Sequence, residues 1–211
     1  MNTYAISHLA PEEDIFTAAK AGPCAPISNY RWQQDYTPRA EAFLAWNDRA
    51  LRVCLTAWEQ EIRCELRGRN DLVCTDSCLE FFFAPKPKEV PYFNFEVNPL
   101  GVLYVGFSPS GDRAGSDKIP DAPDNAFFRM QSRICIGRGP ASFWQVAYDV
   151  PYEFIRRFVP DFAIAPGSEI QANFYKCGEY TATPHWGSWN PIELPAPDFH
   201  QRPFFGRILV E

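Results

Sequence analysis

The chain has 211 residues and a formal net charge of −6 with no long basic run, which argues against nucleic acid or an anionic membrane as the main partner. Eighteen Phe, nine Tyr and six Trp against two Met favour strands over a helical bundle. Twenty Pro and twelve Gly fit a fold of many turns, and the length suits a single domain, residues 1–211, with a sizeable core.

Residues 1–40 have no sustained period and carry four prolines, so they read as an irregular lead-in, with Tyr30-Arg31-Trp32 as an early edge strand. Residues 42–46 and 51–58 read as a β-hairpin across Asn47-Asp48, with Leu51, Val53, Leu55 and Ala57 on one face. A charged excursion over 60–75 follows. Residues 78–83 form a strand with Leu79, Phe81 and Phe83 inward and Glu80 on the opposite face. Residues 92–98 alternate most clearly. Phe93, Phe95 and Val97 make a core face, and Tyr92, Asn94, Glu96 and Asn98 form a polar row behind it. A tight turn at Pro99-Leu100-Gly101 and a strand over 102–107 complete a three-strand meander.

Residues 108–125, rich in Gly, Ser, Asp and Pro, predict a mobile loop. Residues 127–136 and 142–150 predict a hairpin across Gly137-Arg138-Gly139-Pro140, and 151–158 one or two helical turns with Asp149 near the cap. Residues 169–176 again sort into two faces, with Ile170, Ala172 and Phe174 inward and Glu169, Gln171, Asn173 and Tyr175 outward. A short apolar strand over 207–210 ends the chain. About ten short strands with almost no helix predict an all-β antiparallel β-sandwich.

The seven cysteines (Cys24, Cys54, Cys64, Cys74, Cys78, Cys135, Cys177) show no paired spacing and fit reduced thiols packed as small apolar groups. Three His and these Cys show no zinc spacing, so no metal is expected. No phosphate loop, nucleophile elbow or two-histidine metalloprotease motif occurs. The first ten residues lack signal-peptide character, and no apolar run approaches the roughly 18 residues of a membrane span. A cytoplasmic protein is expected, or a secreted or periplasmic one if a leader precedes the sequence in hand.

Glu80 and Glu96 are the most suggestive pair. Both sit mid-strand on the non-core face. They fit a ligand surface, a plain solvated face, or the acid and base of a glycosidase. Beside Asn94, Asn98, Gln171 and Asn173 they would accept hydrogen bonds from sugar hydroxyls while the amides donate and accept. Trp186 and Trp189 are candidate stacking walls, although Trp more often goes to the core. His200 reads as a hydrogen-bonded structural residue.

These residues carry a family resemblance. Asp76-Ser77-Cys78-Leu79-Glu80-Phe81-Phe82, then residues 92–101, then Asn173-Phe174-Tyr175-Lys176, Ser188-Trp189-Asn190-Pro191 and Phe199-His200 running to Phe205-Gly206 resemble, in order, the family 9 carbohydrate-binding modules. The resemblance covers roughly 42–210 and is nearest to free-standing bacterial "family 9-like" domains. It implies a β-sandwich related to DOMON-like domains, with sugar binding, no catalysis and no cofactor. In modules attached to xylanases the terminal sugar is clamped between two Trp, and calcium is structural. Glu80 matches the Glu of the Asp-Ser motif and Asn98 an Asn. Glu96 stands where those modules have Arg, and Val73 and Phe199 stand where they have the clamp Trp residues.

The expected function is therefore a non-catalytic domain that binds a mono- or oligosaccharide, with no nucleic-acid or membrane partner. Its expected site is Glu80, Asn94, Glu96, Asn98, Asn173, Tyr175, Trp186 and Trp189. The alternatives are a small glycoside hydrolase using Glu80 and Glu96, and a binding module for another small ligand, haem included, or for a protein partner.

Overall fold

The computed structural model of the protein describes residues 1–10, 14–20, 22–32, 35–137 and 142–211. Among these residues it has thirteen strands and two short α-helices. β1 (Thr3–Ile6), β5 (Cys78–Ala84), β6 (Tyr92–Val97), β7 (Leu103–Ser108), β8 (Asp117–Lys118), β11 (Glu169–Gly178), β12 (His185–Ser188) and β13 (Gly206–Val210) form one sheet. Its order is β1-β13-β11-β5-β6-β7-β8, with β12 also pairing β11. β2 (Ala25–Ile27), β3 (Ala40–Trp46), β4 (Ala50–Trp58), β10 (Phe143–Pro151) and β9 (Gln131–Cys135) form the second, in the order β2-β3-β4-β10-β9.

The inner faces are those the alternation predicts. Leu79, Phe81, Phe83, Phe93, Phe95, Val97, Ile170, Ala172 and Phe174 of the first sheet meet Leu51, Val53, Leu55 and Ala57 of the second in one buried cluster. Contacts such as Phe95 on Tyr148, stacked at 6.0 Å between centroids, join the layers. This is the β-sandwich expected, its named strands paired antiparallel except for β1 with β13.

Local chemistry fixes the turns. The Asn47 side chain accepts from the N–H groups of Arg49 and Ala50, closing the β3–β4 hairpin. Asn98 does the same for the β6–β7 turn by accepting from Leu100 and Val102. There Gly101 takes φ +76°, a left-handed value that favours glycine.

Several expectations need correction. The lead-in is not merely irregular. β1 pairs in parallel with β13, the helix α1 (Ile15–Ala19) follows, and β2 pairs with β3, whereas Tyr30-Arg31-Trp32 is not a strand. β9 begins at Gln131, because Phe128 has turned into the core. The expected turn at Gly137–Pro140 lies largely outside the described residues. The helix α2 (Tyr152–Arg156) forms where predicted, but Asp149 does not cap it. Its carboxylate accepts instead from Arg52 Nε at 2.8 Å and Arg129 Nη1 at 3.0 Å.

Candidate functional site

The outer face of β11, β5, β6 and β7 is not wet. Residues 190–205, returning from β12 to β13, lie over it, and a 3₁₀ turn at Val73–Thr75 closes one flank. Phe82, Tyr92 and Tyr175 of the strands pack with Val73, Ile192, Phe199 and Phe205 in a second apolar cluster outside the sandwich core. This roof stops short of Glu80 and Glu96. It leaves a cavity of about 600 Å³, a volume within the range of small-ligand sites.

Glu80 and Glu96 stand at the floor, directly opposite each other across β5 and β6, and both are buried. Leu72, Tyr180, Trp186, Phe199 and His200 contribute to the walls. Phe199 is fixed by stacking on Tyr175, with 4.1 Å between centroids and 6° between planes. Leu72 and Tyr180 are exposed, at 63% and 68%, so the cavity opens past them to solvent. Arg113 and Ser116, from the loop after β7, border it as well.

Two carboxyls placed side by side away from water resist joint ionisation. Burial raises the Glu96 carboxyl to about 7; an Asn94 Nδ2–H donated at 2.9 Å opposes the rise. Burial, then the neighbouring Glu96, pushes Glu80 well above the ordinary range, and the Cys177 thiol donating at 3.0 Å opposes it. Near neutral pH the floor therefore holds a proton that displacement by a ligand can release. His200 is pulled down to about 4, by burial first and the Arg113 charge second, so its ring is neutral; its Nδ1 pairs with the Tyr92 hydroxyl at 2.7 Å.

Of the eight residues expected from the sequence, Glu80, Glu96 and Trp186 line this cavity. Asn94 lies behind Glu96, which it orients, and its side chain occupies space that a Cβ on Gly106 would fill. Tyr175 backs Phe199 and donates its hydroxyl to the Phe199 carbonyl at 3.2 Å. Asn98 and Asn173 spend their amides elsewhere. Asn98 donates to Leu66 O and to Asp76 Oδ2, holding the 60–75 excursion. Asn173 donates to the carbonyls of Asn190 and Phe204 and accepts from Asn190 N–H, which anchors the roof at both ends. Trp189 is buried between the sheets against Tyr4 and Phe174.

Sequence reasoning left Leu72, Arg113 and Tyr180 out of the site and named Phe199 only as the residue standing at a clamp position. It looked for the first wall residue at Val73, which points into the apolar cluster and is fully buried, while Leu72 faces the cavity. For Tyr180 the advance signal was the density of aromatics after residue 175; nothing in the pattern marked Leu72 or Arg113.

Among the described residues, one donor set could hold a metal. Cys78 and Cys177, paired across β5 and β11, place their sulfurs and a Glu80 oxygen within 4.8 Å of one another. Soft thiolates would suit zinc or cuprous ion, but burial pushes both thiols up and keeps their protons on. A second cavity, of about 620 Å³, lies beside α2 and is lined by Arg129, Asp149 and Tyr152, among others. Asp149 there is already ion-paired with Arg52 and Arg129, so the carboxyl pair with aromatic walls is the stronger candidate site.

A family model described as carbohydrate-binding family 9 matches residues 12–210. No curated protein sequence matches the chain. Among solved structures, a "putative carbohydrate-binding protein" from Bacteroides uniformis is 24% identical, with 99% of each chain covered and a TM-score of 0.78. A family 9 carbohydrate-binding module from Caldicellulosiruptor kristjanssonii, solved with glucose, is 13% identical over 100% of this chain and 96% of its own, with a TM-score of 0.63. A cellotriose complex of a family 9 module from that organism gives 14%, 100%, 94% and 0.62. At these identities the structural likeness establishes the shared fold.

Proposed function

The chain belongs to carbohydrate-binding family 9, and from that premise we propose that it binds a mono- or oligosaccharide, without catalysis, in the cavity beneath the 190–205 segment. The observation that carries this reading is a pair of buried carboxyls facing a cavity with aromatic walls. Carboxylates accept from adjacent sugar hydroxyls, and the apolar C–H face of a pyranose packs on an indole or phenol ring. Trp186 supplies that ring, with Tyr180 and Phe199 beside it. The related modules solved with glucose and cellotriose support a sugar of that class.

Calorimetric titration with glucose, cellobiose and xylobiose tests the reading. Saturable binding is expected, and Glu80→Gln or Trp186→Ala should each weaken it about tenfold, the worth of one charged hydrogen bond or one stacked ring. Absence of saturation by any sugar at millimolar concentration would sink the proposal.

One observation favours hydrolysis as a second reading: two adjacent carboxyls, both shifted upward, one of them near neutrality. Glycosidases, however, place their carboxyls on either side of the scissile bond. Glu80 and Glu96 rise together from one face of one sheet. Chromogenic glycosides should therefore show no turnover that Glu80→Gln removes.

A further inference from the structure

We propose that the cavity selects hexosamines, sugars carrying a protonated primary amine, and that Glu80 and Glu96 together hold the ammonium group. The proposal rests on the sugar-binding reading above and names the substrate class of that same site.

Charge complementarity carries it. The ionisable groups bordering the cavity include four carboxyls, Glu80, Glu96, Glu179 and Asp198, against one guanidinium, Arg113. Among the described residues no Lys or Arg forms an ion pair with Glu80 or Glu96, and the ammonium of Lys176 is engaged with Glu59. A neutral sugar would leave this pair to be neutralised by protons alone. An ammonium offers three N–H donors on a compact charge. Two can reach the facing carboxylates, and charge-assisted bonds of this kind are about twice as strong as neutral ones.

The walls agree with the charge. Trp186 and Tyr180 line the cavity beside the acidic floor, and aromatic rings attract cations as well as sugar C–H groups. A uronic acid would bring a further negative charge toward Glu80 and Glu96 at the floor and Glu179 and Asp198 around it. N-acetylation removes the amine's charge and would remove the preference.

Binding should also move a proton. Besides each other, Glu80 and Glu96 feel the Cys177 thiol, Glu179, Lys176 and Arg113. A bound ammonium adds a positive charge against both, favours their ionised forms and expels the proton they hold. The proton leaves to buffer, and no bond in the sugar changes.

The test is calorimetry at pH 6.5 with glucosamine, glucose, N-acetylglucosamine and glucuronic acid, repeated in two buffers of different ionisation enthalpy. Glucosamine should bind at least about tenfold more tightly than glucose, with proton release seen as a buffer-dependent heat. Glu96→Gln, nearly isosteric and checked by its thermal transition, should bring the glucosamine-to-glucose ratio close to one. If glucose binds as tightly as glucosamine, or glucuronic acid binds best, the hexosamine proposal falls and sugar binding stands. If no sugar saturates the protein, both fall. The proton-release arm uses the unaltered chain, so the proposal stays exposed even if the variant folds poorly. Tighter glucosamine binding without proton release would remove the carboxyl pair from the explanation.

Discussion

A carboxyl held near pH 7 in the fold and near 4.5 in the unfolded chain binds its proton more tightly when folded. Stability from Glu96 is therefore fully present below about pH 4.5 and is lost as pH rises through about 7. The loss is on the order of 3 kcal/mol across that window, and Glu80 shifts in the same direction. Urea denaturation should show the unliganded protein less stable at pH 8 than at pH 5. Glu96→Gln should flatten that slope and gain stability at pH 8. A slope of the opposite sign would mean that the pair is not buried together. A destabilising pair kept at the floor of a cavity is the usual sign that a site, and not the core, dictates the residues.

At the scale of elements, the roof decides what the floor can do. Asn173 holds residues 190–205 through Asn190, away from water, and through the half-buried carbonyl of Phe204. Asn173→Ala strands those backbone groups and should cost about 2–3 kcal/mol in chemical denaturation. It should weaken sugar binding as well, because Phe199 and His200 ride on the roof. The wall at Leu72 behaves differently. Its side chain is exposed beside the cavity, so Leu72→Trp should leave the thermal midpoint nearly unchanged. It should also tighten sugar binding about three- to tenfold, by the worth of one added aromatic contact. No tightening would show that the ring binds elsewhere in the cavity.

These two residues also show how far the sequence could be read. Period-two alternation made the inner faces of β5, β6 and β11 legible and put Glu80 and Glu96 on one outer face. It could not say what covers that face. An outward amide looks the same whether it meets a sugar or the backbone of an overlying segment. Residues 190–205 have no period, so Asn98 and Asn173 read as ligand contacts although their hydrogen bonds are spent on loops. Val73 was singled out by the resemblance and not by alternation; the neighbouring Leu72, which leads into the 3₁₀ turn, is the one that lines the cavity. β1 was hidden because its partner, β13, lies some 200 residues away and pairs in parallel.

At the scale of the whole molecule, one buried ion pair pins the two sheets together. Lys176, on β11, places its ammonium against the Glu59 carboxylate just beyond β4, both wholly buried, and on His185 Nε2 of β12 at 2.8 Å. Trp144 Nε1, on β10, donates to the other Glu59 oxygen at 3.3 Å. Burial alone would raise the Glu59 carboxyl. The Lys176 charge and the hydrogen bonds around it outweigh burial and hold it at about 2. The sign is opposite to that of Glu96: this stability is present above about pH 4.5 and is lost as pH falls toward 2. Between about pH 4 and 6.5 the buried, neutral His200 works against Glu96, because the unfolded chain takes up a proton there that the folded one does not. Lys176→Met leaves a buried carboxylate without its counter-ion and should cost about 3–5 kcal/mol at pH 7. With the cation gone, burial dominates and Glu59 prefers its proton, so the variant should gain stability as pH falls from 7 to 5 by more than the parent does. Adding Glu59→Gln should recover much of the loss at pH 7 and remove that extra gain. Equal pH slopes for the parent and Lys176→Met would mean that Lys176 does not carry the charge that keeps Glu59 ionised between the sheets.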